Sequence, residues 1–139
     1  MKSTKPQKQQ PRGIRNNNPL NIRIGNTWLG EVPNPTDSDF EQFVSPVYGL
    51  RAAFCILRRY IRRYGRDTVR KIVHSWAPSS ENNCDAYIKI VCQQSKLDPD
   101  ETLSYEDAER MWKLVQGMAL AEVGQRLDMD MIMKGYQLA

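Results

Sequence analysis

Val47, Leu50, Phe54, Leu57, Ile61 and Tyr64 recur at spacings of three and four. Only an α-helix gathers residues so spaced onto one side, because a strand alternates its side chains between two faces. Arginines fill the gaps, so the opposite side must meet water. Gly65 follows as a C-cap. A helix with one apolar stripe is stable only against partners, and the remaining sequence predicts several. Asp67-Thr68 caps a short helix bearing Val69, Ile72, Val73 and Trp76, stopped by Pro78. Asn82 or Asn83 caps another, with Tyr87, Ile88, Val91 and Cys92 inward. Ser104-x-x-Asp107 resembles a capping box and opens a helix with Ala108, Met111, Trp112, Val115 and Ala119 on one face. Met129 to Leu138 reads as a last short helix.

The front of the chain reads differently. Residues 1–12 are rich in Lys, Gln and Pro without an apolar pattern, which predicts a disordered basic tail. Asn16-Asn17-Asn18-Pro19 is turn chemistry. Asn21-Ile22-Arg23-Ile24 and Thr27-Trp28-Leu29 flank Gly25-Asn26, which predicts a tight hairpin, with Phe40-Glu41-Gln42-Phe43 as a third short strand. The expectation is therefore an α+β, mainly helical fold: a small β-hairpin lobe beside about five helices, in one domain over 13–139.

Charge divides the 139 residues unevenly: net +9 over 1–71 and net −5 over 72–139, within an overall +4. A basic front half suits an anionic partner. Arg51, Arg58, Arg62, Arg66 and Arg70, with Arg59 and Arg63 beside them, read either as an anion-binding stripe or as a solvated face. No zinc-finger, helix-turn-helix or aromatic RNA-binding motif accompanies them, so nucleic acid is not an expected partner. No apolar run reaches the roughly 18 residues of a membrane span. The N-terminus lacks the apolar segment of a secretory signal. Three cysteines, an odd number without a CxxC pair, predict neither a disulfide framework nor a zinc site. His74 is the sole histidine, and no metal site or cofactor is expected.

Carboxylates remain. Cleavage of a glycosidic bond needs a protonated carboxyl beside the leaving oxygen, and often a second carboxylate nearby. Glu122 ends a long apolar helix in Ala119-Leu120-Ala121-Glu122-Val123-Gly124. Partial burial there would raise its pKa, and the helix C-terminus is an unfavourable place for a charged acid. By residue statistics alone it reads as a solvated helix-end residue. Glu31, Asp37, Asp39 and Glu41 sit in or beside the expected β lobe, either facing Glu122 across a groove or serving as loop charges. Trp28 and Trp76 offer flat faces for sugars, or act as core aromatics.

The stretch Arg12-Gly13-Ile14-Arg15-Asn16-Asn17-Asn18-Pro19-Leu20-Asn21-Ile22-Arg23 resembles the opening of a phage and prophage structural, lysozyme-like protein family. Phe40-x-x-Phe43-x-x-Pro46-x-Tyr48-Gly49-Leu50-Arg51-Ala52, Tyr64-Gly65-x-x-Thr68-Val69 and Trp76-Ala77-Pro78-Ser79-Ser80-Glu81-Asn82 resemble it too, so the likeness spans about residues 12–124. Leu20, Cys84 and Val123 depart from the family pattern. The order Asn-Asn-x-x-Asn-Ile, Trp-x-Gly, Phe-x-x-Phe is also similar to autolysin-type glucosaminidases. Their catalytic Glu precedes these motifs, whereas Glu122-Val123-Gly124 follows them here, which fits a circularly permuted lysozyme-like fold.

The resemblance implies a peptidoglycan hydrolase acting on glycan strands. It would be a muramidase, glucosaminidase or lytic transglycosylase. Glu122 would be the acid and Asp39 the second carboxylate. Asn17, Asn18, Asn21, Trp28, Glu41 and Trp76 would shape the substrate groove. Such a protein would reside in a phage virion, or in the host cytoplasm before release, and act in the cell wall. The alternatives are a non-catalytic virion protein that binds an anionic polymer among other virion proteins, and an interbacterial toxin held by an immunity protein.

Overall fold

The computed structural model describes residues 9–78 and 83–139. Among them are six helices: α1 (Arg12–Arg15), α2 (Pro46–Tyr64), α3 (Val69–Trp76), α4 (Cys84–Ser95), α5 (Ala108–Val123) and α6 (Met129–Leu138). The protein is mainly helical, as expected. Residues 1–8 of the expected tail lie outside the described residues, as do Ser79, Ser80, Glu81 and Asn82. Of the tail's remainder, Gln10 accepts a hydrogen bond from Gln125 Nε2 at 2.8 Å, and Arg12 already belongs to α1.

The amphipathic α2 forms the axis of the core. Leu50, Phe54 and Leu57 are fully buried along its expected stripe, whereas Tyr64 at its end is exposed. Ser45 caps it by accepting from Val47 N, Pro46 fits the first turn, and Gly65 closes it in the left-handed region at φ 62°. Because the helix stops there, Arg66 and Arg70 do not continue its arginine row. Arg70 lies on α3 and pairs with Asp100. Helix α6 packs along α2, α4 along α5, and α3 against α4.

Caps follow the sequence closely. Thr68 Oγ1 accepts from Lys71 N at 3.1 Å, and Asn83 Oδ1 from Ala86 N at 3.0 Å. The expected box at Ser104 is a correction. Asp107 itself is the N-cap of α5, its side chain accepting from Arg110 N, while Ser104 Oγ donates to Glu106.

The β lobe is the larger correction. Among the described residues there is no sheet, only isolated bridges joining Arg23 to Phe40 and Glu31 to Phe43. No hairpin turns at Gly25-Asn26. Asn21 adopts φ 52°, a left-handed conformation that cannot begin a strand. The backbone of Ile22 and Ile24 bonds instead to Glu41 and Asp39, and residues 42 and 44 bond on to 32 and 30. The Phe40–Phe43 segment thus lies between two neighbours, each joined to it by too few bonds to count as a strand.

This irregular lobe docks on the helices by close backbone approach. A Cβ on Gly49 of α2 would stand 2.1 Å from Asn17 O, and one on Gly13 would stand 2.6 Å from both Asn21 Oδ1 and Val123 Cγ1. Gly49→Ala should therefore push the asparagine turn off α2. It should cost about 1–3 kcal/mol of stability, read by thermal or urea unfolding; an unchanged midpoint would show that the lobe does not depend on that contact.

Candidate active site

Glu122 occupies the last turn of α5, where Gly124 at φ 69° returns its N–H to Leu120 O. The chain approaches it from the other side through the asparagine turn. Asn18 is fully buried there. Its Nδ2 donates to Ile22 O at 2.9 Å and to Glu41 O at 3.0 Å, and its Oδ1 accepts from Ile22 N at 2.9 Å. Asn17 Nδ2 donates to Phe43 O at 2.9 Å. The turn so held places Asn21 Nδ2 2.9 Å from Glu122 Oε1, and from α4 the Tyr87 hydroxyl donates to Glu122 Oε2 at 2.9 Å.

Glu122 lines a cleft of about 310 Å³ with Asn21, Arg23, Phe40, Trp76, Ala77, Tyr87 and Ala121. Burial pushes its pKa above the usual carboxylate value, and the two donors, which favour the charged form, only partly offset this. The carbonyl end of α5 adds negative potential and acts in the same direction as burial. Burial and the neighbouring Glu122 hold the Tyr87 phenol well above its usual range, so it stays a donor. The arrangement is a carboxyl with raised proton affinity, fixed by two donors and open to a cleft. It can deliver a proton to a bound oxygen and take one back.

Other expected site residues scatter. Trp76 lines this cleft and donates from Nε1 to Leu20 O at 2.9 Å. Trp28 lines an adjoining chamber of about 540 Å³ that shares Asn21, Arg23 and Trp76 with the cleft. Asn17 and Asn18 do not shape the groove; their amides are turned to backbone carbonyls. Asp39 is absent from the lining of either hollow, although its neighbour Phe40 lines the cleft. Its Oδ2 accepts from Arg12 Nη2 at 3.1 Å. Arg12 also forks onto Asp37 at 2.6 and 2.7 Å, holding that carboxyl well below its usual range. Glu41 is buried, 8% exposed, away from the cleft. Tyr87, Arg23 and Phe40 were not expected in the site. Tyr87 reads as a core residue of its helix, and nothing local announces a partner 35 residues away.

Glu41 has a different chemistry. Its carboxyl faces Glu31 and keeps a buried oxygen without a hydrogen-bond partner, and burial together with that second carboxylate pushes its pKa up to about 7. Glu31 Oε1 accepts from Trp28 N at 3.0 Å. The Glu41 carboxyl therefore favours its protonated form beside Glu31.

No protein-family model matches the sequence. Over 99 residues, 68% of this chain, it is 40% identical to "Protein P5" of Pseudoalteromonas phage PM2. The chain spans 62% of that relative's length. The protein is thus similar to a phage protein.

The sign of the Glu41 effect is set by its two pKa values. The folded chain binds the proton up to about pH 7, the unfolded chain only to its ordinary 4.5. Stability is therefore full below about pH 4.5 and falls as pH rises through 7. Glu41→Gln places a neutral group there at every pH. It should raise stability at pH 8 by about 1–2 kcal/mol and leave it unchanged at pH 4; denaturant unfolding at both pH values checks this.

Proposed function

We propose that the protein is a phage-type peptidoglycan-cleaving enzyme with a lysozyme-like, circularly permuted fold, in which Glu122 is the general acid. One observation carries this reading: a largely buried carboxyl, bonded by Asn21 and Tyr87, in the wall of a cleft rimmed by Trp76, Phe40 and Arg23. The contact of Gln10 with Gln125, three residues past Glu122, is compatible with the permuted arrangement, since it brings the start of the described chain near the end of α5. Likeness to Protein P5 of phage PM2 supports phage origin, and with it a virion or phage-released protein acting at the cell wall among other phage proteins.

Glu122 donates its proton to the bridging oxygen as the bond from that oxygen to the anomeric carbon breaks. Among the described residues it is the single carboxylate lining the cleft. That favours the route needing one carboxyl. The sugar's own 6-hydroxyl oxygen bonds to the anomeric carbon, and its proton passes to the Glu122 carboxylate. The acid is regenerated, no water is consumed, and the product ends in an anhydro sugar. Asn21 and Tyr87 hold the carboxylate in line for both transfers.

The second reading is a non-catalytic phage structural protein that holds an anionic polymer. The phage likeness favours this reading over the first, and the groove would serve it unchanged.

Digestion of purified peptidoglycan sacculi, with soluble fragments read by mass spectrometry, separates the two. The wild type should release anhydro-ended fragments. Glu122→Gln should lose roughly a thousandfold in rate, along with the basic limb of the pH–rate profile. Cleavage at equal rates by both would remove Glu122 from the chemistry. No fragments from folded wild type would leave the structural protein.

A further inference from the structure

Three hollows adjoin along the face that holds Glu122. The cleft at Glu122 shares Asn21, Arg23 and Trp76 with the larger chamber, whose walls include Trp28, Tyr60 and Tyr64. That chamber shares Trp28 and Arg59 with a third hollow of about 390 Å³, lined also by Cys55, Arg58, Arg62 and Arg63. Acid, aromatic walls and guanidinia thus follow one another along a single groove.

The arginines of the last hollow are not equivalent. Arg62 pairs with Glu106 and lies over the Tyr105 ring at 5.3 Å. Arg58 lies over the same ring at 5.5 Å. Arg66, past the helix end, sits over Tyr60 and Tyr64. Arg59 and Arg63 are exposed, one helical turn apart, and no carboxylate among the described residues pairs with either. Arg51 Nε donates to Leu138 O at 3.2 Å and Arg70 pairs with Asp100, so the sequence row of seven arginines reduces to two cations with neither an ion pair nor a ring partner among the described residues, both lining the far end of the groove.

We propose that Arg59 and Arg63 form a substrate subsite that grips carboxylates on the side groups of a glycan strand, while the sugar backbone crosses the aromatic chamber to reach Glu122. The proposal rests on the glycan-cleaving reading. A planar guanidinium matches a carboxylate with two parallel hydrogen bonds. Aromatic faces match the apolar faces of sugar rings. An uncharged glycan would use the chamber alone. A polyphosphate chain would need cations at close intervals along the whole groove, whereas the chamber between the acid and this pair sets four aromatic rings (Trp28, Tyr60, Tyr64 and Trp76) among polar and aliphatic side chains, with Arg23 and Arg59 its only cations among the described residues.

The test is binding, so that it does not depend on cleavage. Full-length Glu122→Gln protein, with and without Arg59→Gln/Arg63→Gln, is sedimented with intact sacculi. An equal-charge control carries Arg126→Gln/Lys134→Gln, both exposed and outside the groove. The arginine pair should lower affinity roughly tenfold, and the control should not. Affinity for an uncharged chitin oligosaccharide should be equal in all three proteins. Capping the sacculus carboxylates as methylamides should bring the arginine-intact protein down to the same weak level, while stripping phosphates with hydrofluoric acid should not.

Equal losses in the control, or equal losses toward chitin oligosaccharide, would overturn the subsite. So would loss on phosphate stripping alone, or competition by duplex DNA that depends on the two arginines. Cleavage by the wild type with unchanged binding by the arginine variant overturns the subsite and leaves Glu122 standing. No cleavage, with binding lost as expected, overturns Glu122 alone.

Discussion

Asn18 answers three backbone groups with one amide, and the rest of the N-terminal lobe depends on that. Without it Ile22 N–H and Glu41 C=O would be unpaired and Ile22 C=O would keep only its bond from Glu41 N–H, in a place no water reaches. A buried unpaired polar group costs about 1–3 kcal/mol, so the amide does what a sheet would do elsewhere. The lobe has too few ladder bonds to hold itself. The amide joins residues 18, 22 and 41, and the left-handed Asn21 between the first two is the residue that reaches Glu122. A side chain in the core thus sets the position of a side chain in the cleft.

The helices were legible because each is written locally. Stripe, cap and stop lie within one window of sequence, as in Thr68 to Pro78, and tertiary contacts only confirm them. The hairpin was misread for the converse reason. Gly25-Asn26 has the chemistry of a tight turn, but pairing is decided by what the flanking residues can bond to. Asn18 and Glu41 had already taken Ile22. The capping box failed more narrowly: Asp107, directly before the first turn of α5, accepts from Arg110 N itself, which leaves Ser104 to Glu106.

The candidate site was legible in half. Glu122 stood out because an acid in an apolar helix end has an electrostatic cost that asks for a cause. Its partners were hidden, being 101 and 35 residues away on separate elements. Asp39 was a reasonable second carboxylate by position, yet it pairs with Arg12, which also holds Asp37, and it lines neither hollow. The arginine row shows the same limit. Periodicity gives a face, but only the placement of Glu106, Tyr105 and Asp100 tells which of its cations remain free.

Among the described residues two carboxyls, Glu41 and Glu122, have raised pKa values, and the size of the shift does not choose between them. Glu41, at about 7, is the more obvious acid by that measure. It is also buried, lines none of the three hollows, and faces a second carboxylate. A proton held there has nowhere to go but Glu31, and Glu31 in turn bonds the backbone of Trp28. That pair fixes a wall of the chamber. Glu122 combines raised affinity with access. Its two donors fix the carboxyl and leave it open to the cleft, and neither carries a charge that would draw the proton away. Proton transfer to a ligand requires contact first and a suitable pKa second, and only Glu122 meets both conditions.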